Sequence, residues 1–264
     1  VSVRKRHNVK VVGRGDVDMI FAHGYGCDQN MWRLLTGAFE DSHRIILYDL
    51  AGCGGSDLSA YDRRKYDTLE GHARDVIEIL GEIATGPAVF VGHSVSAMIG
   101  LLAGIAAPER FREHIMVGPS PCYINDGDYF GGFSRDDIDS LLDALDSNYL
   151  GWASAMAPTI MGAPDRPELG EELTNSFCRT DPEIAKHFAR VTFLSDNRAD
   201  LPRLTARSLI LQCSDDVIAP PSVGEYLHKA LPNSALRFID NIGHCPHLSA
   251  PGPLVQAMRE FLEA

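Results

Sequence analysis

The stretch that most constrains this chain is Val89-Phe90-Val91-Gly92-His93-Ser94-Val95-Ser96. An apolar run from Pro87 to Val91 suits a strand buried on both faces. It ends in Gly-x-Ser-x-small, and a helix of small apolar residues follows over Val95–Ala107. Such a turn holds a serine in strained backbone geometry with its hydroxyl clear at the strand's end. Bulky side chains two residues either side of the serine would strike neighbouring backbone. Gly92 meets that demand, and Ser96 departs from the usual Gly but is still small. The bland alternative is a strand–helix junction whose serine caps the helix. A bare G-x-S-x-S string would not separate the two; the buried strand before it and the small-residue helix after it favour the strained turn.

The rest of the chain repeats the strand–helix rhythm. Asn8–Val12 and Val17–Ala22 read as an opening pair of strands joined by Gly13-Arg14-Gly15-Asp16, and Arg44–Tyr48 reads as another strand. Over Tyr66–Ile83, Leu69, Ala73, Val76, Leu80 and Ile83 recur in steps of three and four, a helix, with Asp67 and Glu70 as its capping box. His114–Val117, Ser208–Leu211 and Ala235–Ile239 supply strands, and Leu254–Leu262 a closing helix. The alternation predicts an α/β fold with a mostly parallel central sheet covered on both faces. Between 131 and 193 the pattern is helical throughout, interrupted by Pro158, Pro164 and Pro167. It reads as a helical lid on a single domain, 1–264, whose core is about 1–130 and 194–264; ordinary crossover helices are the alternative.

Charge and composition exclude several classes. The formal charge of -12 disfavours nucleic acid or an anionic membrane as partner. No run approaches the ~18 apolar residues of a membrane span. The basic start, Arg4-Lys5-Arg6-His7, leads into no apolar run, so it is not read as a signal peptide, and a start without Met suggests trimming. Six cysteines without a C-x-x-C pair match neither a zinc site nor a small disulfide scaffold, which favours a reducing, cytoplasmic location.

Serine needs a base to act as a nucleophile. The late chain offers Asp215 and Asp216 after one strand, then His244 and His247 after the next, each past a strand's C-terminal end. The order Ser, acid, His suits this architecture. Chemistry alone leaves open which Asp and which His act. The string His244-Cys245-Pro246-His247 is not taken as a metal site, for want of further ligands at the right spacing. Oxyanion donors are expected at the backbone N–H groups of Val95 and of Tyr25, the latter within Phe21-Ala22-His23-Gly24-Tyr25-Gly26. His23 reads as a structural hydrogen-bonder. The loop Asp49 to Ser56 is Gly-rich but lacks the third Gly of a dinucleotide fingerprint, so it reads as a structural turn and no cofactor is expected.

With these motifs in place, the whole chain resembles the α/β-hydrolase subfamily of the bacterial stress regulator RsbQ and the plant strigolactone and karrikin receptors. The resemblance rests on His23–Gln29, Gly92–Ser96, Gly118–Asn125, Gly131–Phe133, Asn148–Trp152 and Gly243–Leu248. It implies Ser94, His244 and Asp216 as the triad, a V-shaped four-helix lid, and a pocket of Tyr25, Tyr123, Phe133, Trp152 and Phe193 with Val95 and Ile218 beside them. Plain core packing is the alternative for those aromatics. The implied function is hydrolysis of a small, mainly apolar ester or lactone through an acyl-serine. The second reading is a ligand sensor with slow hydrolysis that signals to a protein partner, of the sensor-phosphatase type in RsbQ-like members. An interfacial lipase is disfavoured because no apolar anchor is evident.

Overall fold

The computed structural model describes residues 2–264. Seven strands form one sheet: β1 (Lys10–Val12), β2 (Val17–Ala22), β3 (His43–Leu47), β4 (Ala88–His93), β5 (Phe111–Val117), β6 (Arg207–Asp215) and β7 (Ser234–Ile242). Their order is β1-β3-β2-β4-β5-β6-β7. β1 runs antiparallel to β3, and the other pairings among the described residues are parallel.

Helices cover both faces. On one lie α3 (Leu69–Ile83), α4 (Val95–Ala106) and α9 (Pro221–Ala230), packed on Ile20, Ile46, Phe90, Met116 and Ile210. On the other lie α2 (Arg33–Thr36) and α11 (Pro251–Glu263), where Leu35, Leu254, Met258 and Phe261 meet Met19, Val89, Val91, Ile115 and Leu209. β4 is buried along its whole length, as its unbroken apolar run requires. Each such Val, Ile or Phe is worth about 1.5–3 kcal/mol of burial. Two further short helices are α1 (Val3–Arg6) and α10 (Pro246–Ser249).

Between β5 and β6 stand four consecutive helices: α5 (Arg135–Ser147), α6 (Tyr149–Met161), α7 (Pro167–Arg179) and α8 (Pro182–Phe193). They share one apolar cluster with Cys27, Met31, Tyr123, Ile218, Cys245 and Leu248, residues in the segments that follow β2, β5, β6 and β7. The four-helix layer therefore covers the end of the sheet where the serine turn lies. No helix among the described residues is long and apolar enough to cross a membrane.

Several local expectations are corrected. β1 and β2 are not a pair, because β3 lies between them. The connection from Gly13 to Asp16 instead crosses the start of β3, with Gly13 at φ +81 and a Cβ on Gly15 only 2.1 Å from Ser42 backbone. α3 begins at Leu69, with Thr68 at its cap and no capping box. Asp67 is drawn away to the His187 ring in α8, 2.9 Å. Pro158 lies inside α6, which ends at Gly162 in the left-handed conformation. β5, β6 and β7 run longer than their apolar centres, so Asp240 lies within β7 and Asp215 ends β6.

Candidate active site

The turn from β4 into α4 places Ser94 at φ 57 and ψ -124. A non-glycine residue in that region costs about 1–3 kcal/mol and is held only by its surroundings. Two of these constraints are visible. The Ser94 N–H donates to the Val117 carbonyl at 2.8 Å. A Cβ on Gly92 would stand 2.6 Å from the Ser96 carbonyl oxygen, so only glycine lets the strand turn so sharply.

Ser94 Oγ lies 2.7 Å from His244 Nε2, and His244 Nδ1 lies 2.7 Å from Asp216 Oδ2. All three residues are buried. Asp216 Oδ1 also accepts the N–H groups of Ile218 (2.8 Å) and Ala219 (3.1 Å), which fixes the carboxylate's plane. With Asp216 ionised, Nδ1–H donates to it and the Nε2 lone pair faces the serine hydroxyl. The chain of bonds can thus take a proton from Ser94 and stabilise the imidazolium that results. The neighbouring candidates lie elsewhere: the Asp215 side chain is exposed while its carbonyl accepts the Gly243 N–H at 2.7 Å. His247 packs on the Trp32 ring, centroids 4.9 Å apart.

The loop after β2 comes up against the serine turn. A Cβ on Gly24 would stand 2.5 Å from His93 Nδ1, and one on Gly26 (φ +68) 2.4 Å from the Phe177 ring. Tyr25 therefore sits on a backbone pressed close to the elbow, while its phenol donates to the Ala185 carbonyl in α8 at 3.0 Å. Val95 opens α4, so its N–H has no partner within the helix. Ser96 Oγ donates to the His23 carbonyl at 2.5 Å and ties α4 to this loop. His23 accepts the Leu50 N–H at Nε2 and faces the Gly24 carbonyl at Nδ1, so it is a structural bridge; burial lowers its pKa. The Gly-rich loop wraps the Asp49 carboxylate, which accepts from Gln29 and Gly55 N–H and from the Asn8 amide.

Above Ser94 lies a cavity of about 30 Å³, room for a water or two. Tyr25, Tyr123, Trp152, Phe193 and Ile218 line it with Ser94 and His244. Phe133 does not: it pairs with Ile124 and is half-buried at the edge of the helical layer. Phe177, unforeseen from sequence, is in the wall, stacked on Trp152 at 5.9 Å and 7°. Cys27, His93, Ile160, Leu173, Thr192 and Cys245 also line the cavity, and among the described residues no Asp, Glu, Lys or Arg does. Helical periodicity marks Leu173 and Phe177 as apolar but cannot say whether they face a core or a void. Burial raises the Cys27 and Cys245 thiols well above their ordinary range, so they stand protonated beside the site. Burial likewise pushes the Tyr123 phenol up to about 12, against the opposing effect of the Ser94 hydroxyl. A larger depression of about 750 Å³ lies between α6 and α7, and among the described residues no His or Cys lines it.

Residues 19–257 match the family model described as Alpha/beta hydrolase family. The chain is 38% identical to the Karrikin insensitive 2 receptor CA of Petunia hybrida, over 97% of this chain and 95% of that protein. It is 37% identical to the Strigolactone esterase D14 of Arabidopsis thaliana, over 97% of this chain and 96% of that protein. Among solved structures, a hydrolase from Oleispira antarctica superposes with a TM-score of 0.96 at 42% identity, covering 99% of this chain and 96% of that one.

Proposed function

The chain belongs to the α/β-hydrolase family, and from that premise we propose that it is a serine hydrolase of small, mainly apolar esters or lactones. Ser94 Oγ attacks the substrate carbonyl while His244 Nε2 takes its proton. The backbone N–H groups of Tyr25 and Val95 stabilise the oxyanion, and Asp216 holds the imidazolium. Collapse of the tetrahedral adduct expels the alcohol, which takes the proton from His244. A water then attacks the acyl-Ser94 ester by the same route in reverse and frees the acid. The observation that carries this reading is the bonded series Ser94–His244–Asp216, 2.7 Å at each step, on the floor of a cavity without formal charge. The uncharged walls favour a neutral ligand.

In this reading the chain is one domain, 1–264, whose segment 131–193 is a lid. The enclosed space is too small for more than a small acyl group, so α6, α7 and α8 must part before a larger substrate enters. The six unpaired cysteines support a reducing compartment such as the cytoplasm. The test is hydrolysis of p-nitrophenyl acetate. Ser94→Ala should lower kcat at least about 10⁴-fold with an unchanged circular dichroism spectrum. Undiminished turnover would overturn the assignment.

One observation favours the second reading, a ligand sensor that signals to a protein partner. The His244 N–H donates to the Ile160 carbonyl in α6 at 2.8 Å, so the lid and the base are mechanically joined. Ligand-dependent binding of a partner with turnover of minutes or longer would support the sensor. Rapid turnover without such binding would support the enzyme.

A further inference from the structure

The sequence His244-Cys245-Pro246-His247 lacked a third ligand from another part of the chain. The fold supplies it. His93, which precedes Ser94 in the elbow, meets Cys245 and His247, and one ligand atom from each lies within 4.8 Å of the others. All three residues are buried. We propose that His93, Cys245 and His247 form a binding site for a zinc-class divalent cation directly behind the triad, and that its occupation inhibits hydrolysis.

Several independent features support a ligand set. His93 Nδ1 and His247 Nδ1 are buried without any hydrogen-bond partner among the described residues, an unfavourable state for a buried polar atom. His93 Nε2 lies 2.8 Å from the His244 carbonyl. It must donate there, which leaves the lone pair on Nδ1. A metal-binding histidine characteristically gives its other N–H to a carbonyl or carboxylate in this way. Two imidazoles and a thiolate are the soft-to-borderline donors that zinc and its neighbours prefer over calcium or magnesium. Zinc–nitrogen and zinc–sulfur bonds of about 2.0–2.3 Å require the donors to close in by roughly 1 Å. His93 and Cys245 both line the cavity beside Ser94, so two of the three donors border that space. Binding converts Cys245 Sγ–H into a metal-bound thiolate and releases one proton to solvent.

The inhibition follows from chain connectivity. His93 adjoins the nucleophile and Cys245 adjoins the base, so contraction around a cation moves both partners of the 2.7 Å Ser94–His244 contact. The inhibitory half rests on the hydrolase reading; the binding half does not.

The experiment is a cobalt(II) titration of reduced, chelator-treated protein, followed by zinc inhibition of p-nitrophenyl acetate hydrolysis. One equivalent of cobalt should give a near-ultraviolet thiolate-to-metal band, and stoichiometric zinc should abolish turnover until EDTA restores it. Cys245→Ser should lose the band and weaken binding at least about tenfold, and His247→Gln should weaken binding likewise. Cys27→Ser, which alters the other cavity thiol, should keep the band. Absence of bound cobalt in the unaltered protein overturns the site, as does a band that survives in Cys245→Ser. Tight cobalt binding by a chain with no esterase activity would sink the hydrolase reading and leave the metal site standing.

Discussion

Thr192 Oγ1 is buried in the cavity wall with no hydrogen-bond partner among the described residues. An unsatisfied buried hydroxyl costs about 1–3 kcal/mol, and a substrate oxygen at that wall would satisfy it. Thr192→Val keeps the shape and removes the hydroxyl. For esters or lactones with a second oxygen remote from the scissile carbonyl, KM should rise about five- to tenfold, the worth of one hydrogen bond near 1 kcal/mol. The kcat should hold, and thermal stability should hold or rise. Equal KM values for substrates with and without the remote oxygen, in variant and parent alike, would remove Thr192 from substrate recognition. Sequence could not single this residue out, because a threonine late in an amphipathic helix looks the same whether its hydroxyl faces water, backbone or void. Ser94 is the opposite case. Its neighbours Gly92 and Ser96 and the buried β4 all bear the mark of the strained turn. Phe133 belongs to the pocket by resemblance alone; here it is half-buried against the helical layer and is not among the cavity's lining residues.

At the scale of elements, the loop carrying His244 is wedged against the end of α6. Gly243 sits at φ +102, and a Cβ there would lie 2.0 Å from the Met161 carbonyl oxygen. Gly162, at φ +65, faces it across the same contact. Gly243→Ala must therefore push the β7–α10 loop off α6 and weaken the bond from His244 N–H to the Ile160 carbonyl. Under the proposed mechanism a shift near 1 Å in the base costs about 10²-fold in rate, so kcat should fall on that order, and active-site titration should still find one reactive serine per chain. A variant with parental kcat would show that α6 does not position the base. This contact joins residues far apart in sequence, so no local pattern of residues reveals it. The same limit explains the opening strands. Apolar alternation located β1 and β2, but pairing is decided across the sheet, where β3 comes between them. Periodicity within one helix is local, so the buried face of α3 was legible from Leu69 to Ile83 even though its capping residue was not.

Across the whole molecule, several histidines are buried in neutral form, and this ties stability to pH. His114 on β5 packs against Phe90 and Phe111, neither ring nitrogen has a partner, and burial alone lowers its pKa to about 3. His72 on α3 is also lowered to about 3, mainly by burial, with Asp75 opposing and His7, Lys65 and His23 adding to the fall. Unfolded, each titrates near 6.5. Between about 6.5 and 3 the unfolded chain binds more protons than the folded one, so stability is complete above 6.5 and is lost as pH falls through that window. The rate of loss approaches about 1.4 kcal/mol per pH unit for each histidine. Asp75, held to about 2 despite its burial by His7 and Lys65, loses its contribution only below the ordinary carboxylate range, so it does not mask the effect at pH 5 to 6.5. His114→Met replaces the ring with an apolar side chain of similar size in an apolar niche. Urea unfolding at pH 7.5 and pH 5.0 should show the parent losing stability on acidification and His114→Met losing less, by about 1–2 kcal/mol of the difference. Equal losses in both proteins would mean that His114 is protonated or solvated in the folded state, and the acid sensitivity would then have to come from elsewhere in the fold.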